Sequence, residues 1–260
     1  MRRSASRFTG FLALAAGIAF IPGMALATVY TDALNDNYGG PEVDISSVSV
    51  TNDASNIYFQ INLNPTASIG PSANHYADYE IGIQSGPGGQ TLINGTYGTA
   101  PGDGNPYGNA VGISTGENYF IGTFLAGPTY SGGAQLYSFN SGTGWSQVGS
   151  NATVNQTNTV TPEMDFSFPL SALGLSVGSS FNFDVWTTFG SPQAAYDALD
   201  NVGTGSANAP YTAGTTYDSA TAPGSAFAST IYTVTAVPEP ASLGLLCLSG
   251  LALGARRRSK

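Results

Sequence analysis

Between Phe8 and Ala255 this chain contains neither lysine nor arginine. Its seven basic residues stand at the two ends, as Arg2, Arg3 and Arg7 and as Arg256, Arg257, Arg258 and Lys260, whereas all 16 acids lie between them. Only 9% of the 260 residues are charged, yet the net charge is −9; an average globular domain carries about 25% charged residues. A body without cationic side chains cannot neutralise phosphates, which excludes nucleic-acid binding and removes the usual clamps of phosphoryl transfer. No lysine is placed to form a Schiff base. His75 is the sole histidine and Cys247 the sole cysteine, so zinc sites built from several such ligands are excluded, as are disulfides. No Gly-x-Ser-x-Gly elbow precedes His75 for it to serve as a base. The chemistry that remains is that of carboxylates, of oxygen-ligated calcium, or none.

The two ends read as addresses. Met1-Arg2-Arg3 is followed by an apolar run from Phe8 to Ile21 and then by Ala25-Leu26-Ala27. A charged start, a short apolar stretch and an Ala-x-Ala site are the parts of a signal helix that signal peptidase removes, here after Ala27. The run falls short of the ~20 residues that a membrane span needs. Near the other end, Pro238-Glu239-Pro240 leads into an apolar run over 241–255 and then Arg256-Arg257-Arg258. As a helix, 241–255 extends about 22 Å at ~1.5 Å per residue, a marginal transmembrane helix for a ~30 Å hydrocarbon core. The arginine cluster would stay cytoplasmic and leave the body outside.

These three parts in this order closely resemble the PEP-CTERM sorting signal of Gram-negative bacteria. The resemblance implies that Pro238, Glu239 and Pro240 form the motif recognised by an exosortase, with Arg256, Arg257 and Arg258 as the stop. It also implies residence in the envelope, outer surface or extracellular matrix after transient anchoring in the inner membrane. A plain tail anchor is the alternative. The expected organisation is therefore a signal peptide over 1–27, a body over 28–236 and the sorting signal over 237–260.

The chain's 34 glycines and 15 prolines punctuate short runs rich in valine, isoleucine, tyrosine, phenylalanine and threonine, which is the pattern of strands and turns. Strands are expected over 43–50, 56–63, 76–84, 118–125, 134–139, 145–148, 163–168, 180–189 and 230–235. Short helices are expected over 169–175 and 193–199. Ile57, Phe59, Ile61 and Leu63 share one strand face, with Tyr58, Gln60 and Asn62 on the other. No long amphipathic helix appears, so the expected class is all-β, a two-sheet antiparallel sandwich of the jelly-roll kind. The strand before Thr51-Asn52-Asp53, the strand Asn56-Ile57-Tyr58-Phe59, and the later succession Phe166-Ser167-Phe168-Pro169-Leu170 with Leu173-Gly174-Leu175 are similar to family-nine carbohydrate-binding modules and DOMON-like sandwiches. That resemblance implies a sugar-binding sandwich.

Trp186 falls on the polar face of its strand with Asn182 and Asp184. An indole beside an acid suits stacking on a sugar ring while the acid bonds hydroxyls; the competing expectation is an indole covered by long loops. Trp145, after Gly142-Thr143-Gly144, is expected as a structural anchor. Asp32, Asn35 and Asp36, with Asn37 between them and Asp44 beyond, form an oxygen-rich cluster compatible with calcium, although such residues also make turns. Asp197 and Asp200 form a weaker second cluster. Asp78 and Glu80 share one strand face, and Glu163 and Asp165 another; paired acids are what a glycosidase uses, but on an open strand they read as a solvated face. The expected function is a non-catalytic module for extracellular polysaccharide. The alternative is a structural matrix protein without a discrete site, with a glycoside hydrolase a distant third. Exosortase and signal peptidase are the expected processing partners.

Overall fold

The computed structural model describes residues 24–67, 77–91, 105–124, 134–149, 153–157, 162–188, 195–199, 217–218 and 230–237. All belong to one compact unit, 24–237. Period-two alternation decides which way each strand faces. In β2 (Ile45–Asn52), Val48 and Val50 are buried while Ser47, Ser49 and Thr51 are partly open, and β3 (Asn56–Leu63) buries Ile57, Phe59, Ile61 and Leu63 as expected. Their turn is built by Asp53, whose Oδ1 accepts the Ser55 and Asn56 N–H groups at 2.7 and 2.6 Å while Oδ2 accepts the Tyr58 hydroxyl at 2.6 Å. The hairpin extends with β1 (Thr28–Thr31), β9 (Thr153–Thr157) and β10 (Glu163–Pro169) into a five-stranded antiparallel sheet, ordered β1-β2-β3-β10-β9.

The second sheet has seven strands. β12 (Asp197–Ala198), β11 (Ser180–Thr188), β4 (Asp78–Gln84), β6 (Tyr119–Phe124), β7 (Gln135–Asn140) and β8 (Gly144–Gly149) follow one another, and β14 (Ile231–Thr233) pairs with the first part of β11. Its inner face carries Tyr79, Ile81, Ile83, Ile121, Phe181, Phe183 and Val185, which pack with Phe59, Ile61, Met164 and Phe166 of the first sheet in one continuous core. Burial of each such side chain stabilises the fold by about 1.5–3 kcal/mol before entropy is counted. The fold is thus an all-β two-sheet sandwich, with a short parallel pair, β5 (Val111–Gly112) and β13 (Tyr217–Asp218), outside it.

Beyond adding the short strands β1, β5, β9 and β13, the structure departs from the sequence pattern at three places. Residues 170–173 form a single 3-10 turn closed by Gly174 in the left-handed region at φ 63°, rather than a longer helix. The expected helix over 193–199 is instead the edge strand β12, whose Asp197 and Ala198 pair with Thr187 and Trp186; a free backbone edge on β11 outcompeted a weak helical pattern. The outer face of the second sheet is not solvated either. The segment 105–117 lies over it, and Val111 and Ile113 join Phe120, Trp186, Ala195 and Ala198 in a second apolar cluster. Among the described residues no helix is long and apolar enough to cross a membrane. Residues 1–23 of the signal peptide expected over 1–27, His75, the motif Pro238-Glu239-Pro240, the apolar run over 241–255, Cys247 and Arg256-Arg257-Arg258 lie outside the described residues.

Candidate functional site

The loop between β1 and β2 gathers oxygen atoms with no base to answer them. Asn35 adopts φ 65°, a left-handed conformation that asparagine tolerates better than most residues. Its N–H donates to both oxygens of Asp44, at 3.1 and 3.0 Å, and Asp44 Oδ2 accepts Asn64 Nδ2 at 2.6 Å. Asn35 and Asp44 thereby spend these groups on shaping the loop. Asp32 and Asp36 instead meet Asp197 from β12, each offering one carboxylate oxygen, all within 4.8 Å of one another. Asp197 is also the acceptor for Ile45 N–H at 2.6 Å and for Ala198 N–H at 3.0 Å. The Tyr38 N–H donates to Tyr196 O at 2.8 Å, and the two rings lie 5.6 Å apart. The loop is fastened to β12 along its length.

Three carboxylates held this close cannot all stay ionised at ordinary cost. Burial, then the charges of Asp197 and Asp36, push Asp32 up to about 10. Burial and the charge of Asp44 push Asp36 up to about 6, against the hydrogen bond from its own N–H. Asp197 is also raised well above the carboxylate range, by burial first and by Asp36 and Asp44, against the Ile45 hydrogen bond. Asp32 Oδ2 and Asp36 Oδ1 are buried with no hydrogen-bond partner. Oxygen donors with spare lone pairs in one place suit a hard cation such as calcium.

The expected sugar platform sits elsewhere and is enclosed. Trp186 and Asp184 are both 0% exposed, while Asn182 is half-buried opposite Gln84 and Ile231. The indole of Trp186 is covered by Phe120 and the 105–117 layer rather than offered to solvent. Its N–H donates to Glu80 Oε2 at 2.6 Å, and Asn105 Nδ2 donates to the same oxygen at 2.9 Å. Glu80 Oε1 accepts Asn109 Nδ2 at 2.7 Å, and the Thr188 hydroxyl lies 3.1 Å from it and 3.4 Å from Asp78 Oδ2. Burial and the charge of Asp78 raise Glu80 to about 8 in spite of these donors. Glu117, also buried, accepts the Ile113 N–H at 3.4 Å and is raised well above its usual range by burial first.

Two glycines make this layer possible. A Cβ on Gly82 would lie 2.5 Å from Trp186 Cη2, and one on Gly122 would lie 2.6 Å from the Tyr107 ring. Trp145 is the expected anchor, but in β8: its Nε1 donates to Gln90 Oε1 at 2.8 Å and its ring meets Phe139 edge-on at 5.3 Å. Of the paired acids, Asp78 and Glu80 are buried, which corrects the expectation of a solvated face, whereas Glu163 and Asp165 line the outer side of the first sheet with Glu163 accepting from Gln60 at 3.1 Å.

In the sequence Asp197 stands beside Asp200, which lies outside the described residues; only the β12–β11 register carries it to Asp32. The roles of Asn105, Asn109 and Glu117 leave no spacing signal. The one available hint was that buried acids in a chain without bases must recruit amides and indoles.

No curated protein matches the chain. Residues 236–258 match the PEP-CTERM protein-sorting motif, which places Pro238, Glu239, Pro240 and the Arg256–Arg258 run inside the matched stretch. That motif supports export and delivery to the cell envelope or surface, with processing by exosortase. The chain carries, over residues 236–258, the sorting motif of exosortase substrates.

Proposed function

We propose that the chain is a non-catalytic structural component of the cell surface or extracellular matrix of a Gram-negative bacterium. Signal peptidase cleaves after Ala27, the helix over 241–255 holds the protein transiently in the inner membrane, and exosortase acts at Pro238-Glu239-Pro240. The observation that carries the reading is the enclosure of the polar groups that a ligand site would need: Trp186, Asp184 and Glu80 are all 0% exposed, and Glu80 is engaged by Trp186, Asn105 and Asn109. Aromatic platforms and paired acids serve a glycan or a glycosidic bond only when they face a cleft. A polysaccharide-binding module acting through Trp186, Asp184 and Asn182 has no such support, and neither has a hydrolase built on Asp78 and Glu80. The net charge of −9 with no base in the body suits a hydrated, self-repelling coat.

The test is carried out in an exosortase-bearing host. An epitope-tagged full chain is expected in the outer envelope or matrix fraction, and the Pro238→Ala, Glu239→Ala, Pro240→Ala variant is expected to remain with the inner membrane. The full chain purified in detergent is expected to bind no member of a glycan array specifically and to release no sugar from host polysaccharide. Specific glycan binding or sugar release would overturn the structural reading while leaving the sorting result intact.

A further inference from the structure

We propose that Asp32, Asp36 and Asp197 form a calcium site that locks the loop between β1 and β2 onto the edge strand β12. The proposal is independent of the structural role argued above.

One oxygen from each carboxylate lies within 4.8 Å of the other two. Calcium binds oxygens at roughly 2.3–2.6 Å, so donors on one ion stand no more than about 5 Å apart. Clustered acids alone would not make a site. Here Asp36 is only 2% exposed, its carboxylate converges on the other two, and its Oδ1 is buried with no hydrogen-bond partner, as is Asp32 Oδ2. A buried acceptor left unmade is costly, the more so when charged, and a cation is the partner that would satisfy both. No lysine or arginine exists anywhere in the body to do so instead.

The placement gives the ion a structural task. Asp32 and Asp36 follow the edge strand of the five-stranded sheet, and Asp197 belongs to the edge strand of the seven-stranded one. Asp44, Asn35 and Asn64 hold the loop from behind. An ion at this point ties the open edges of the two sheets together. Delivery to the cell surface matches the affinity range of about 10⁻⁴–10⁻³ M seen in extracellular calcium modules.

The experiment uses the full chain in detergent, stripped with EDTA and titrated with CaCl2 by calorimetry, with melting followed in parallel. One calcium per chain is expected, with a melting temperature that rises as calcium is added. Asp36→Asn and Asp32→Asn are each expected to weaken binding at least about tenfold, because charge count sets affinity in such sites. Both variants are expected to melt higher than the parent in EDTA, since each removes one of three mutually repelling acids; that result also shows that they fold. Asp165→Asn, on the outer face of the first sheet, is expected to keep the full calcium response. No heat and no melting shift with CaCl2 would overturn the site, as would an equal response in Asp36→Asn or an equal response to MgCl2.

Discussion

Trp186 donates its indole N–H to Glu80 Oε2 across 2.6 Å, with both side chains completely enclosed. The bond joins neighbouring strands, since Trp186 and Glu80 stand opposite one another in the β11–β4 register. The outer face of the seven-stranded sheet is therefore an interior, roofed by 105–117 and organised around one carboxyl group.

Replacing Trp186 by phenylalanine keeps an aromatic ring but removes the donor. Among the described residues Glu80 Oε2 would retain Asn105, and losing a hydrogen bond to a carboxyl that holds its proton costs about 0.5–1.5 kcal/mol. Chemical denaturation of Trp186→Phe is expected to show a loss in that range; an unchanged midpoint would mean that the 105–117 layer opens readily in solution.

The same carboxyl sets a pH dependence. Glu80 is raised to about 8 from an ordinary 4.5, by burial first and by Asp78 next. Between those two values the folded protein holds a proton that the unfolded chain has released, so stability falls as pH rises across that window, by about 1.4 kcal/mol per unit at most. Below 4.5 both states are protonated and the contribution is complete. Asp32, Asp36, Asp197 and Glu117 are raised too and act in the same direction, so the test is a difference. Denaturation in EDTA at pH 5 and pH 8 is expected to show a steeper loss for the parent than for Glu80→Gln. Parallel slopes would refute the assignment.

Gly82 lies beneath the Trp186 ring, where a Cβ would approach Cη2 to 2.5 Å and Cζ3 to 2.8 Å. Both atoms are held by a fully buried indole, so Gly82→Ala forces the layer apart. Overpacking of this kind costs about 1–3 kcal/mol. The expected signature is a lower melting temperature with a changed near-ultraviolet tryptophan signal, and no such change is expected for Gly86→Ala, where an added Cβ meets nothing within 4 Å.

Asn52 fixes the last described strand. Its Oδ1 accepts the Tyr232 hydroxyl at 2.7 Å and the Thr235 N–H at 3.1 Å, and its Nδ2 donates to Thr235 O at 3.0 Å. Asn52→Ala strands the buried Tyr232 hydroxyl, at about 1–3 kcal/mol, and releases the backbone of the exposed Thr235 from its tether. Limited proteolysis is expected to cut within 230–237 faster in the variant, at a concentration of protease that leaves the parent intact.

Much of the sandwich was legible because burial on one side of a strand writes itself as alternation: Ile57, Phe59, Ile61 and Leu63 could face only a core. The edge elements were not. β12 contributes only Asp197 and Ala198, and β1 only Thr28–Thr31 with exposed or half-open side chains, so neither leaves a hydrophobic period. Trp186 shows the same limit from the other side. Its strand register was readable, but whether its face met water depended on a segment some 70 residues away in sequence, as Phe120 and Val111 show.

By itself, then, the sequence determined the destination of this protein and the class of its fold. The sorting motif is a contiguous string, read as such, and strand periodicity is a local property of the backbone. What only the tertiary structure decided is where the acids meet. Asp32 and Asp197 lie 165 positions apart in the numbering and converge because β12 closes the edge of one sheet beside the loop leaving the other. Glu80 became an interior group because 105–117 folds over it. Charge proximity depends on distance in space, and no pattern along a chain encodes that distance before the sheets pack.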